Sequence, residues 1–478
     1  MNPINAHPAP TLVRSLGFTE AVAINITQIV GAGVFATIPL ILGVLPGAYA
    51  LLAWLVAGVL IVADSMIWGE LGAAFPEAGG SYNFLLQCYG RSKWGRLMAF
   101  LFVWQILISG PLEVGSGLVA AAQFSTAISP EYKAFDELHT VKLECTLTDD
   151  KTLGVSFGPS RLFGSALGVT ILILLYRRVT TLGRLSVLFL VGVLGIIAWV
   201  LFEGAIRFNP DLAFDTTLKE GERPENFGLA LGAGMGLAIY SYLGYYNICY
   251  VGGEVRNPGR TIPRAILVSS LAVVVLFLLV HLAITGVVPW REASQSTDNM
   301  TAEFMMRVHG PWAAMLVTIG LVGSCFASAF SGTLGYSRVP FAAAQNGHFF
   351  RWFAAIHPVY QIPHRSLLLV GGLTLLWSFF GLDTIITALI ATRILEQFVA
   401  QVFAVILLRN LHPNQPRPWR MCLYPLPCII ALCGWGFVYA STGGLFIAIG
   451  ALTLASGAVV FFIWAKRRGE WPFAATVK

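Results

Sequence analysis

Apolar residues run along this chain in long blocks, and Pro, Gly and charged residues punctuate the blocks. The blocks lie at roughly 18–43, 47–75, 93–124, 160–176, 182–206, 227–250, 262–288, 311–336, 366–381, 384–408, 424–441 and 443–465. Nearly all reach the ~20 residues that span a hydrocarbon core at about 1.5 Å per residue. The pattern therefore predicts an all-α polytopic membrane protein of about twelve transmembrane helices.

Two of these spans are weakened in their interior. The first reads I-N-I-T-Q-I-V-G-A-G-V-F-A-T-I-P over residues 24–39, and the sixth reads L-G-A-G-M-G-L-A-I-Y-S-Y-L-G-Y-Y-N-I-C-Y-V-G-G-E over 231–254. Each Gly costs roughly 1 kcal/mol against Ala in a helix interior, and unwound backbone at membrane depth survives only where it is buried in protein or lines a cavity. One interruption alone is equally consistent with close packing of small residues. Two, in corresponding positions of two five-span halves, predict an inverted repeat with a midplane site. The halves are 18–206 and 227–408, with two further C-terminal helices over 424–465 and tails at 1–17 and 466–478.

Composition agrees, with 56% hydrophobic and 11% charged residues and a mean hydropathy of +0.73. The charges fix an orientation. With the N-terminus in the cytoplasm, twenty Lys/Arg fall inside and nine outside, while Arg393 lies within a span. The positive-inside rule then places both termini in the cytoplasm. The net charge of +6 needs no nucleic-acid partner. The first 17 residues show no cleavable leader pattern, so the first span itself is expected to target the chain, and the expected location is a plasma (inner) membrane. The seven cysteines contain no CxxC pair, and no metal, cofactor or disulfide framework is expected.

Ionisable residues inside spans are costly and mark function by default. They are Glu20, Asp64, Glu70, Glu113, Glu203, Arg393 and Glu396, with Asp383 near an end. Glu113 lies midway along the third span in S-G-P-L-E-V-G-S-G. It reads either as a carboxyl that carries a proton or meets a cationic group, or as an acid bonded to a neighbouring helix. Arg393 and Glu396, three apart, are expected to pair on one helix face. Glu20 and Glu203 lie near span ends, and His281 reads as a hydrogen-bonded core residue. Tyr240, Tyr242, Tyr245, Tyr246 and Tyr250 cross the second break and suit the wall of a small-molecule cavity.

Four stretches together resemble the amino acid–polyamine–organocation (APC) superfamily, whose members share the LeuT-type fold. They are V-G-A-G-V-F-A-T-I-P at 30–39, G-E-L-G-A-A-F-P-E-A-G-G-S-Y at 69–82, Y-S-Y-L-G-Y-Y-N-I-C-Y-V-G-G-E-V-R-N-P-G-R-T-I-P-R at 240–264, and Y-S-R-V-P-F-A-A-A-Q-N-G-H-F-F…I-H-P…I-P-H across 336–364. The resemblance implies a permease that moves amino acids by alternating access, proton-coupled or by exchange, with a polyamine or other organic cation as the alternative cargo. S-G-P-L-E-V also resembles a segment of the plant and protozoan polyamine-transporter branch. A channel or a membrane enzyme is not expected.

By the same resemblance, amides of Ala32 and Gly33 beside Gly31 would take a substrate carboxylate. Carbonyls of Ile29, Tyr240 and Ser241 would take its amine, and Tyr240 would stand at the family's aromatic gate. Side-chain space would lie towards Gln28, Glu113, Tyr245 and Tyr246, with Tyr242 and Gly244 completing the second break. The chain departs from the family pattern at Ala32, Tyr245 and Gly253, where Ser, Trp and Glu are usual. The Lys that substitutes for a bound cation in the fifth span of many relatives is missing from Leu185 to Leu201. Ser328 and Ser331 lie near where sodium-coupled members place hydroxyls, with packing as the competing reading. Cys145 falls in the loop where heteromeric relatives bridge an accessory subunit, but it reads here as a free thiol with no such subunit expected.

Overall fold

The computed structural model describes residues 12–469, apart from 32, 92–93, 149–150, 297–298, 382–388 and 390–391 and the side chains of 144–153 and 446. Ala32, Asp383, most of both tails and the Cys145 side chain thus lie outside the described residues.

The helices follow the apolar blocks closely. In order they are α1 (Phe18–Ile29), α2 (Gly33–Val44), α3 (Ala50–Ala74), α4 (Ser81–Cys88), α5 (Trp94–Thr126) and α6 (Pro130–His139). A hairpin of β1 (Val141–Thr148) and β2 (Lys151–Phe157) follows, then α7 (Pro159–Leu175), α8 (Val179–Ile206), α9 (Phe227–Tyr242), α10 (Asn247–Tyr250) and α11 (Pro258–Thr285). The chain continues through α12 (Met300–His309), α13 (Pro311–Tyr336), α14 (Arg338–Gln345) and α15 (His364–Trp377). A π-helical turn at Ile394–Val399 leads into α16 (Ala400–Leu411), and α17 (Leu426–Ser441) and α18 (Gly444–Arg467) end the bundle. Among the described residues eight helical segments are long and apolar enough to cross a membrane, and α7, α9 and α17 are shorter apolar helices. The protein is an all-α polytopic membrane protein.

Both predicted breaks are present. The first span stops at Ile29 and resumes at Gly33, and the sixth opens over residues 243–246. Hydrogen bonds across the bundle hold the first span in place. Asn25 on α1 accepts from the Ile248 N–H at 2.9 Å, so a side chain of the first span caps α10. Its amide donates to Ser269 Oγ at 3.2 Å. On α2, the Thr37 and Ser241 hydroxyls lie 2.7 Å apart.

At the end of the bundle carrying the N-terminus, residues 15–16 are laid against residues 254–256. The Ser15 and Leu16 N–H groups donate to the Glu254 carbonyl at 2.8 and 2.9 Å, and the Arg256 N–H returns a bond to the Leu16 carbonyl at 2.8 Å. Arg338 donates to the Glu254 carboxylate at 3.0–3.3 Å, with both side chains buried. Burying two charges is tolerated only with this quality of pairing. The result is a closed end.

The hairpin was not expected from the block pattern, although Val141, Leu143, Cys145 and Leu153, Val155, Phe157 alternate with polar neighbours as half-buried strands do. It pairs antiparallel within itself and touches the segment after α15, where the Ser156 N–H donates to the Phe379 carbonyl at 2.8 Å. At the 207–226 loop, Arg291 donates to both Glu222 oxygens at 2.8 Å and to the Thr217 carbonyl at 2.9 Å. That guanidinium holds the Glu222 carboxyl down to about 2. A depressed carboxylate contributes stability above its ordinary value and loses it as pH falls through the folded value. Amide protection factors over residues 215–222 are therefore expected to fall as the pH drops from 4.5 towards 2. Glu222→Gln should lessen the acid dependence of those protection factors over the same range.

Candidate functional site

The two breaks face each other across a cavity of about 30 Å³ lined by Gln28, Ile29, Gly31, Gly33, Glu113, Ser116, Gly117, Tyr240, Leu243 and Ser328. That volume holds about one water molecule. Any larger guest requires the breaks to move apart.

Gly31 and Gly33 are glycines for a spatial reason. A Cβ on Gly31 would sit 2.6 Å from Ser328 Cβ and Oγ, and one on Gly33 would sit 2.8 Å from Ser241 Cα. The first is a contact with α13, the second with the backbone of α9. Gly33 also begins α2, so the first amides of that helix have no intrahelical acceptor. They carry the positive end of its dipole at the cavity edge. Gly244 has φ +111°, and a Cβ there would meet Gln28 Cγ at 2.6 Å. Glycine is required by both conformation and space.

The carbonyls at the breaks turn inward on their own chain. Ile29 accepts from the Gly31 N–H at 3.0 Å and Tyr240 from the Leu243 N–H at 3.3 Å. The Gln28 carbonyl accepts from Ser328 Oγ at 2.7 Å. Ser331 and Thr27 hydroxyls are 2.7 Å apart. Both α13 hydroxyls that the resemblance brought forward are thus engaged within the protein.

Glu113 anchors the polar side. Its Oε1 accepts from Gln28 Nε2 at 3.0 Å, its Oε2 accepts from the Tyr336 hydroxyl at 2.6 Å, and Arg393 completes the set through an ion pair to the same oxygen. Arg393 is wholly buried and fully occupied. It donates to Ser109 Oγ at 3.0 Å, the Ser109 carbonyl at 2.8 Å, and the hydroxyls of Tyr246 and Tyr336 at 2.9 and 3.2 Å. The expected Arg393–Glu396 pair does not form. The helix widens into a π turn from Ile394, so the three-residue spacing no longer stacks the two side chains, and Glu396 Oε2 has no hydrogen-bond partner among the described residues. Gln28 keeps one free buried acceptor, Oε1, at the cavity.

The tyrosine run divides. Tyr240 lines the cavity, its hydroxyl 2.8 Å from Ser116 Oγ. Tyr242 and Tyr245, expected there too, point behind the break. Tyr242 packs against Trp54 and Phe277, and Tyr245 donates to Asp64 and meets Trp68 edge-on. Tyr240 and Tyr242 lie two apart on α9, about 200° around the helix, so they face opposite ways, and Tyr245 follows in the break. Ser241 touches the site through Gly33 and Thr37. Ser116, Gly117, Leu243, Tyr336 and Arg393 belong to the site or its support and were not anticipated there. Ser116 had a signal, lying three residues after Glu113 on one helix face. Arg393 had its charge inside a span, but its approach to Glu113, like that of Tyr336, is a matter of tertiary packing. The quieter readings hold for three residues: Glu20 accepts from the Gly17 N–H, Glu203 meets Arg207 and His309, and Trp54 donates to His281.

The comparisons with known proteins agree with this geometry. A family model described as amino acid permease matches residues 16–470. The serine/threonine exchanger SteT of Bacillus subtilis is 26% identical over 477 residues, covering 96% of this chain and 98% of the relative. The branched-chain amino acid permease BcaP of the same organism is 23% identical, covering 96% and 95%. The vacuolar cationic amino acid transporter 4 of Arabidopsis thaliana is 24% identical, covering 84% and 64%. These are transporters, not enzymes. With a family match over nearly its whole length and two interrupted helices meeting at a small polar cavity, this chain belongs to the amino acid permease family.

Proposed function

We propose that the chain transports neutral amino acids by alternating access, with residues 18–206 and 227–408 as inverted halves rocking about the two breaks. The carrying observation is the Arg393–Glu113 ion pair in the cavity wall. A carboxylate already neutralised by a buried guanidinium offers little to a cationic side chain, so the wall selects a guest of no net charge. The substrate carboxylate lies at the start of α2, near Gly31, Ala32 and Gly33. The ammonium is met by Gln28 Oε1 and by carbonyls of Ile29, Tyr240 and Ser241 that the opened breaks release. The polyamine alternative loses ground on the same argument, and the relatives named above are all described as carrying amino acids. Both termini lie in the cytoplasm of a plasma (inner) membrane, and no accessory subunit is required.

Drive comes from a proton or from exchange. The Ser328 and Ser331 hydroxyls tie α13 to Gln28 and Thr27 of the first span, and no sodium coupling is proposed. Purified protein in proteoliposomes should show saturable uptake of serine, threonine or branched-chain amino acids, and counterflow from preloaded vesicles. Replacing sodium with choline at fixed pH should leave the rate unchanged. Uptake linear in substrate without counterflow would refute the transporter reading, and a steep sodium dependence would refute the coupling.

A further inference from the structure

Asp64 is an acid inside a span that the cavity does not use. It lies on α3 at 0% exposure, where a carboxyl is costly and functional by default. The Tyr245 hydroxyl donates to its Oδ2 and the Trp435 indole donates to its Oδ1 at 3.3 Å. Trp68 stands one turn along α3, and α17 adds the Cys428 thiol. From α11 the facing groups are hydroxyls, with Ser270 bonded to Ser65 at 2.7 Å. Further along α3, Glu70 is closed by Arg409 and Arg417. Among the described residues no Arg or Lys side chain bonds Asp64.

The partner of Asp64 gives it reach. Tyr245 and Tyr246 are consecutive in the sixth-span break, their rings 4.8 Å apart. Tyr245 is tied to Asp64 behind the break, while the Tyr246 hydroxyl accepts from Arg393, the ion-pair partner of Glu113 in the cavity wall. The break is thus held between a remote acid and the substrate site.

We propose that Asp64 is a proton-binding positioning residue that acts through Tyr245 on the break, so that its protonation changes substrate affinity at the cavity. As a carboxylate it accepts from both Tyr245 and Trp435. Trp435 can only donate, so the added proton is assigned to Oδ2, where it is given to the Tyr245 oxygen and the phenol turns its own hydrogen away. The Trp435 bond survives on the other oxygen. The reversal falls on residue 245 and passes through 246 to the Arg393–Glu113 pair.

The proposal rests on the transport reading above, and counterflow in the same vesicles separates the two failures. The KM of wild-type counterflow is expected to change about fivefold or more between about pH 5.5 and 7.5, the usual lower range of a coupling between two sites. Asp64→Asn and Tyr245→Phe should each flatten that pH profile while counterflow persists. Trp435→Phe should lower the melting temperature and leave the profile in place. If Asp64→Asn does not fold, Tyr245→Phe, which keeps the acid and the ring, decides alone. A wild-type KM independent of pH, or a variant profile matching the wild type, would overturn the proposal and reduce Asp64 to a structural tether.

Discussion

A valine at position 33 is expected to abolish transport. The reason is a contact: any Cβ there would lie 2.8 Å from Ser241 Cα and 3.1 Å from Ser241 Cβ. Backbone cannot swing aside as the end of a flexible side chain can, so the larger residue must push α2 away from α9. That same approach brings the first amides of α2 to the cavity edge. Gly33→Ala is expected to lower uptake by at least about tenfold, since one overpacked methyl costs roughly 1–3 kcal/mol, and Gly33→Val to abolish it. The control is Gly43 on the same helix, where a Cβ would meet nothing within 4 Å; Gly43→Ala should transport normally. Uptake by Gly33→Val at wild-type KM would show that the α2 amides do not hold the carboxylate.

The glycines were legible before the fold was known, because a bilayer leaves few reasons to weaken a helix, and so were the span edges. The block predicted at 311–336 ends where α13 ends. Apolar runs and their punctuation are local, and a membrane makes local hydropathy decisive. The polar half of the site was not local. Glu113 stood out as a lone acid in its span, but its partner is 280 residues away, and helical spacing favoured Glu396 for Arg393 instead. The π turn that defeats that spacing leaves no pattern in I-L-E-Q-F-V. Tyr245 was assigned to the cavity by its neighbours in sequence, yet the unwound backbone of the break sends it to Asp64. Where the chain leaves a helix, period ceases to inform direction.

Removing Arg393 should change which amino acids are recognised. Its guanidinium is 1% exposed, while the Glu113 carboxyl is 11% exposed towards the cavity. Arg393→Met keeps much of the side-chain length and deletes the charge. Glu113 is then left with Gln28 and Tyr336, two neutral donors. Breaking a buried pair from one side typically costs about 3–5 kcal/mol. The variant should therefore melt well below wild type when no ligand is present. A cationic side chain entering the cavity can restore the missing charge, so arginine or lysine should raise the melting temperature of Arg393→Met by mass action, while serine and leucine do so less. Wild type should show the opposite order. Glu113→Gln alone leaves Arg393 buried with Ser109 and two tyrosine hydroxyls but no anion, and should also be destabilised. The double variant Glu113→Gln/Arg393→Met removes both charges and should be more stable than either single variant, with no preference for cationic ligands. Thermal shift across the four proteins, each with neutral and cationic amino acids, reads the whole cycle. Equal stabilisation of Arg393→Met by both ligand classes would show that the ion pair is a structural clasp and that the neutral preference is set elsewhere in the cavity.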